Sequence, residues 1–192
     1  MRKELLLGSQ SPRRSELLKS LGFTFQTVRI ECEETYPQSL EASKIAEYLA
    51  IEKSTHFFEL MSSQILLTCD TIVALGEEVL GKSKDADEAK EMLLKLSGKV
   101  HTVYTGVCLR TVDQTVSFTQ SAEVEFESLS SSEIDFYIEN FKPFDKAGSY
   151  GIQEWIGMSK IKSLTGSFYT IMGLPTHRVY QELVTQGLSP KF

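Results

Sequence analysis

The sequence predicts an α/β protein built on a mixed sheet with helices against it. Three observations carry this. Short apolar runs with strand character alternate with amphipathic helical segments along the 192 residues, the pattern of a sheet covered by helices. The stretch from Gln114 to Phe126 alternates strictly, with Val116, Phe118, Ala122, Val124 and Phe126 on one side. Thr115, Ser117, Thr119, Glu123 and Glu125 lie on the other, as in a half-exposed strand. The turn near Asp113 joins it to the mixed-pattern strand Val100–Leu109, and so short a connection makes an antiparallel pair. A mixed sheet is thereby favoured over a purely parallel one. The length suits one substantial core, as a single domain or as two lobes sharing a sheet.

Taken in order, Leu5-Leu6-Leu7 reads as a buried strand and Gly8-Ser9-Gln10 as a loop. A helix over 12–20 follows, with Ser11 as N-cap, Pro12 at its first position and Gly22 beyond its end. Phe23 to Val28 alternates as a strand, and an acidic patch, Glu31, Glu33 and Glu34, comes next. Ser39 is placed to cap a long helix reaching about Leu60, whose apolar stripe runs through Ala42, Ile45, Ala46 and Leu49. Lys53 falls on the same stripe, where a lysine either snorkels or points into a site.

Gln64 to Leu75 is a second long strand, apolar except at Thr68, Asp70 and Thr71. A turn at Gly76-Glu77-Glu78 returns through Val79-Leu80, which brings Gly81-Lys82 back toward the level of Asp70. Asp85 caps a helix carrying Ala86, Ala89, Met92, Leu93 and Leu96, stopped by Gly98. Ser130 and Glu133 form a capping box for a helix that ends before Pro143. The segment 145–153 reads as a loop, followed by a last strand and a helix from about Pro175.

Bulk properties narrow the function. The net charge of −6 comes with no basic stripe, so a nucleic-acid backbone is not the expected partner. A small polyphosphate needs only a local basic pocket. Cys32, Cys69 and Cys108 show no zinc spacing, and an odd count gives no disulfide framework. All three are expected as buried free thiols in a reducing compartment. No stretch approaches the roughly 20 apolar residues of a membrane span, and the start lacks a signal-peptide pattern. A cytosolic protein without membrane partners is expected.

The chemistry begins at Arg13 and Arg14. A helix N-terminus offers free N–H groups and favours negative charge, so two arginines in its first turn oppose the local field unless an anion binds there. The alternative is two solvated arginines on an ordinary helix. Asp70 is a carboxylate inside an otherwise buried strand, and it requires a cation, a metal or converging donors. It is either a structural ion-pair partner or a general base or metal ligand. Lys82 follows Gly81, which lets a ligand approach the backbone. Gln153 closes a glycine-rich loop, and its amide offers both an acceptor and donors for a base edge. His56, His101 and His177 share no ligand spacing and are read as core or surface. With no P-loop, G-x-G-x-x-G or G-x-S-x-G present, the class that fits is metal-assisted attack of water on a phosphate ester or anhydride.

These residues resemble a known family. The stretch Ser9-Gln10-Ser11-Pro12-Arg13-Arg14, then Asp70-Thr71-Ile72-Val73, Gly81-Lys82 and Leu96-Ser97-Gly98 with His101 occur in order. Asp145-Lys146-Ala147-Gly148, Gly151-Ile152-Gln153, Gly166-Ser167 and Gly173-Leu174-Pro175 complete the series. Together they resemble the Maf family of nucleoside triphosphate pyrophosphatases over essentially the whole chain. Thr71 and the Gly151-Ile152-Gln153 element resemble the subgroup acting on dTTP and UTP.

The resemblance implies an elongated, two-lobed α/β fold related to the inosine triphosphatase architecture. It implies one domain over 1–192, with a cleft between the lobes. The implied reaction is hydrolysis at the α–β anhydride to a nucleoside monophosphate and pyrophosphate, with Mg²⁺ or Mn²⁺, and a homodimer is what the family suggests. Asp70 would be the proton acceptor for water. Ser9, Arg13, Arg14, Lys53 and Lys82 would line the phosphate site, and Arg13, Thr71 and Gln153 would mark substrate choice. Asp70, Glu33 and Glu34 are the metal candidates, on charge alone. The chain departs from the family at Ser83, where proline often follows Gly-Lys, and at Glu154-Trp155, where glycine commonly follows Gln153. Other functions open to the same motifs are hydrolysis of modified pyrimidine nucleotides, another base such as a modified GTP, or a nucleotide-binding regulator of cell division.

Overall fold

The computed structural model describes residues 3–191, and their seven-stranded sheet is mixed and flanked by helices. Its strands are β1 (Glu4–Leu7), β2 (Phe25–Thr27), β3 (Gln64–Leu75), β4 (Glu78–Leu80), β5 (Val100–Arg110), β6 (Thr115–Phe126) and β7 (Ile161–Gly166). They run in the order β2-β1-β3-β5-β6-β7, with β4 paired to β3. The helices are α1 (Pro12–Ser20), α2 (Ala42–Thr55), α3 (Ala86–Leu96), α4 (Ser131–Phe141), α5 (Trp155–Lys160), α6 (Phe168–Ile171) and α7 (Thr176–Thr185). β1 pairs in parallel with β2 and β3, setting Leu6 beside Gln26 and Leu66. β4 and β7 pair antiparallel with β3 and β6.

Contacts group the chain into two compact units. The first comprises Met1–Asp70, Thr105–Gln120 and Gly173–Phe192, and the second Thr71–Tyr104 and Ser121–Met172. In the first unit β1 and β3 are buried on both faces, as expected of parallel strands, and α2 turns Ile45, Ala46, Leu49 and Ala50 inward. A Cβ on Gly106 of β5 would lie 2.2 Å from the carbonyl of Ala46, so the α2 backbone rests directly on the sheet. The core of the second unit is a cluster of buried residues that includes Val73, Leu93, Val103, Phe126, Ile134, Tyr137, Ile152 and Ile156.

Local chemistry accounts for most element boundaries. The Asp85 side chain accepts the Glu88 amide at α3, and Ser130 with Glu133 forms a reciprocal capping box at α4. α1 occupies the predicted span, but the Ser11 side chain makes no cap. Its backbone N–H donates instead to the Ser9 hydroxyl, 3.2 Å away. α2 is shorter than expected. Ser39 lies in a turn closed by Leu40 N–H donating to Pro37 O, and Glu41 is the N-cap. At the other end Arg110 donates to the Phe57 carbonyl and holds the chain out of helix. The short helices α5 and α6, and a 3₁₀ turn at Pro143–Asp145, are additions to the predicted set. Cys69 and Cys108 are buried free thiols, whereas Cys32 is only half-buried. Among the described residues no helix is long and apolar enough to cross a membrane.

Candidate active site

In the first unit, Gly8 ends β1 where there is no room for a side chain. A Cβ there would come within 2.6 Å of Ile30 and 2.8 Å of Thr68. The loop that follows leads into α1, whose first turn carries no acid. Ser9 accepts from the Ser11 N–H and from Arg14 Nη1, both at 3.2 Å. A serine hydroxyl has a single proton to donate, and neither bond uses it. Arg14 Nε donates to the carbonyl of Gly173 at 2.8 Å, which fixes the guanidinium and gives the Gly173-Leu174-Pro175 motif a task. Arg13 is half-buried on the same turn. The result is a polar loop feeding a helix N-terminus, with two arginines beside it, a suitable arrangement for holding an anion.

Lys53 and Asp70 meet. Lys53 Nζ bonds both Asp70 Oδ1 and, at 2.8 Å, Glu34 Oε1. The side chains of Lys53 and Asp70 are only 15% and 10% exposed, so the pair is desolvated. Burial alone would lower the lysine pKa. The charge of Asp70 and the hydrogen bonds from both carboxylates outweigh it, and the Lys53 pKa is raised. The lysine on the apolar stripe of α2 therefore reaches a buried carboxylate and does not snorkel.

The acidic trio does not gather as a set. Glu34 and Asp70 share Lys53, whereas Glu33 lines an open cavity of about 750 Å³ together with Gln10, Arg29, Tyr48, Glu52 and His56. Lys53 and Asp70 are not in the cavity lining, but Glu33 and Glu52 are the chain neighbours of Glu34 and Lys53. Among the described residues no three His, Cys, Asp or Glu side chains converge as a metal cage.

Thr71, Lys82 and Gln153 belong to the second unit. β4 returns antiparallel with Leu80 opposite Val73, and the chain then leaves β3. Lys82 bridges to Ala147, and Gly148 N–H donates to the carbonyls of Leu80 and Gly81 at 3.0 Å. Lys82 is exposed, Thr71 half-buried and Gln153 exposed at a turn. His101 is a core residue, as read: its Nε2 bonds the Tyr150 hydroxyl at 2.8 Å, and its ring packs edge-on against Phe126 and Tyr150. His56 and His177 are exposed.

Sequence reasoning missed one cluster. Lys146, in the Asp145-Lys146-Ala147-Gly148 motif, bonds Asp145 at 2.7 Å and Glu154 at 3.1 Å, and Glu154 accepts from the Tyr137 hydroxyl. Lys146 is visible in its motif. Tyr137 sits on a helix face that reads only as core.

A family model described as Maf-like protein matches residues 4–186. The chain belongs to the Maf family. Among its curated relatives, the "dTTP/UTP pyrophosphatase" of Phocaeicola vulgatus is 48% identical over 182 residues, 94% of each chain. A protein of that name from Bacteroides thetaiotaomicron is 46% identical over 94% of each chain. Another, from Porphyromonas gingivalis, is 46% identical over 97% of this chain and 96% of its own. Likeness to solved structures is weaker. The Staphylococcus aureus Ham1 protein aligns with a TM-score of 0.48 and 18% identity over 65% of this chain and 72% of that one. In this Maf chain, both arginines, Lys53 and Asp70 fall inside the matched span, as do Thr71, Lys82 and Gln153.

Proposed function

We propose that this chain is a nucleoside triphosphate pyrophosphatase hydrolysing dTTP and UTP to the nucleoside monophosphate and pyrophosphate. The observation that carries the reading is the desolvated Lys53–Asp70 pair, found in the same compact unit as a helix start suited to an anion, in a chain whose Maf relatives bear that activity in their names.

Asp70 takes the proton of the attacking water, a role suited to a carboxylate held in one orientation by Lys53. Lys53 also keeps a positive charge next to the reacting phosphate. Ser9 donates its hydroxyl proton to a phosphoryl oxygen, and Arg13 and Arg14 give charge-assisted hydrogen bonds there, each worth about 1.5–3 kcal/mol. Lys82 adds a further cation to the phosphate chain. Thr71, Gln153 and Arg13 select the base. The Gln153 amide, exposed at its turn, pairs with the N3–H and a carbonyl of thymine or uracil and is mismatched by cytosine, whose pattern is reversed.

A divalent cation belongs to this reading, and the donor chemistry fits one. Asp70 and Glu34 are hard oxygen ligands that already share one positive charge, the Lys53 ammonium, and magnesium typically takes one or two carboxylates plus substrate phosphates. Asp70 and Glu34, with Glu33 nearby in sequence, would hold it. When bound, it supplies electrostatic stabilisation of charge developing on the phosphoryl oxygens.

The test is a pyrophosphate-release assay with Mg²⁺ or Mn²⁺ over a panel of ribo- and deoxynucleoside triphosphates, run beside Asp70→Asn. Preference for dTTP and UTP, lost in the variant, is the expected result. Tight binding without release on any substrate would turn the reading to a nucleotide-binding regulator.

A further inference from the structure

We propose that Glu154, held between Lys146 and Tyr137, is a positioning residue that fixes the Gly151–Gln153 turn and thereby sets the base preference of this chain. The proposal rests on the reading above that Gln153 meets the base.

Four contacts converge on this turn. The Gly151 N–H donates to the Tyr137 hydroxyl at 2.9 Å, and that hydroxyl in turn donates to Glu154 Oε2. Glu154 Oε1 pairs with Lys146 Nζ at 3.1 Å, and the Glu154 N–H donates to the Gly151 carbonyl at 3.0 Å. The turn is thus tied at both ends, with Ile152 buried and Gln153 exposed between them. Glu154 also packs against the backbone itself. A Cβ on Gly151 would lie 2.7 Å from the carboxyl carbon of Glu154, so the carboxylate covers this glycine and a side chain there would have to push it aside.

An ordinary surface turn needs none of this. Lys146 and Glu154 side chains are 9% and 18% exposed, and Tyr137 is fully buried. Desolvating an ion pair yields little net stability, and its attested use is to fix one arrangement. The only side chain between the tied ends that faces outward is Gln153. An amide that must tell uracil from cytosine has to be held to within roughly 0.5 Å, and it gains that precision from such supports. Burial raises the Tyr137 pKa, so the hydroxyl keeps its proton and remains a donor to Glu154.

The experiment is kcat/KM for UTP and CTP on the wild type, Q153A, E154A, E154Q and Y137F, with thermal midpoints for each. Glu154→Ala and Tyr137→Phe are expected to lower the UTP-to-CTP ratio at least tenfold, mostly through a higher KM for UTP. Glu154→Gln keeps an acceptor for Tyr137 and should recover part of the ratio. Should Glu154→Ala fail to fold, Tyr137→Phe, which deletes one oxygen, carries the test. If Q153A lowers the ratio and neither E154A nor Y137F does, the positioning role is overturned and the base reading stands. If Q153A itself leaves the ratio unchanged, Gln153 does not read the base and both ideas fall.

Discussion

Asp70 and Lys53 answer differently to mutation because one is proposed to react and the other holds it. Asp70→Asn keeps the size and an acceptor for Lys53 but removes the basic group. Turnover of UTP should fall by roughly 10²–10⁴-fold while calorimetric affinity for the nucleotide changes little. Lys53→Met leaves the Asp70 carboxylate buried without its cation, and breaking a buried pair costs about 3–5 kcal/mol. Urea denaturation should show this loss as a lower midpoint with an unchanged slope. His101 gives the protein an acid sensitivity unrelated to catalysis. Burial pushes its pKa down to about 4, against about 6.5 when unfolded. Below about pH 6.5 the unfolded chain binds a proton that the folded chain refuses, so stability falls as pH drops from there toward 4. The contribution amounts to roughly 2 kcal/mol at pH 5 relative to pH 7.5. His101→Phe should flatten that part of the profile in paired denaturation curves.

At the scale of elements, the tight seat of α2 on β5 makes Gly106 the most sensitive position in the sheet. Gly106→Ala would drive a methyl to 2.2 Å from the Ala46 carbonyl, where only backbone can move, and overpacking of this kind costs about 1–3 kcal/mol or more. Such a loss lowers Tm by several degrees, which calorimetry reads directly. The elements legible beforehand were those whose signals are local. β3 is a twelve-residue apolar run, and α3 and α4 announce themselves through Asp85 and the Ser130–Glu133 box. The start of α2 was misplaced because Ser39 has the right residue type, but its neighbours close a turn around Pro37. α5 and α6, at six and four residues, are too short to show a helical period. In the candidate site, Asp70 and Lys53 could each be singled out, the one as a carboxylate in an apolar strand and the other as a lysine on an apolar stripe. The Tyr137–Glu154–Lys146 cluster could not, because its members are distant in sequence and tyrosine is ordinary in a core.

For the molecule as a whole, substrate should act as a stabiliser. A nucleotide bound only by the folded chain adds about 2.7 kcal/mol at a hundredfold excess over Kd. For a chain of this size that raises Tm by roughly 5–10 °C. Thermal melts of Asp70→Asn, which should bind without turnover, are expected to show this shift with UTP and Mg²⁺, and a smaller one with CTP. EDTA should reduce the UTP shift, since a cation held by Asp70 and Glu34 would offset the phosphate charge. The net charge of −6 makes local cations matter more, since the proposed phosphate site around Ser9, Arg13 and Arg14 would have to attract a polyanion against the charge of the whole chain.

Arg14 takes its orientation from Ser9, five residues away, and from the Gly173 carbonyl, 159 residues away. The two ends of that arrangement are made at very different times on the ribosome. The loop and α1 emerge first, and the carbonyl that aims the guanidinium follows 159 residues after Arg14. A nascent chain halted between Lys82 and Gly173 carries every phosphate-facing residue proposed above and still lacks the support for one of them. Full support of the proposed phosphate site therefore waits until Gly173 has been made.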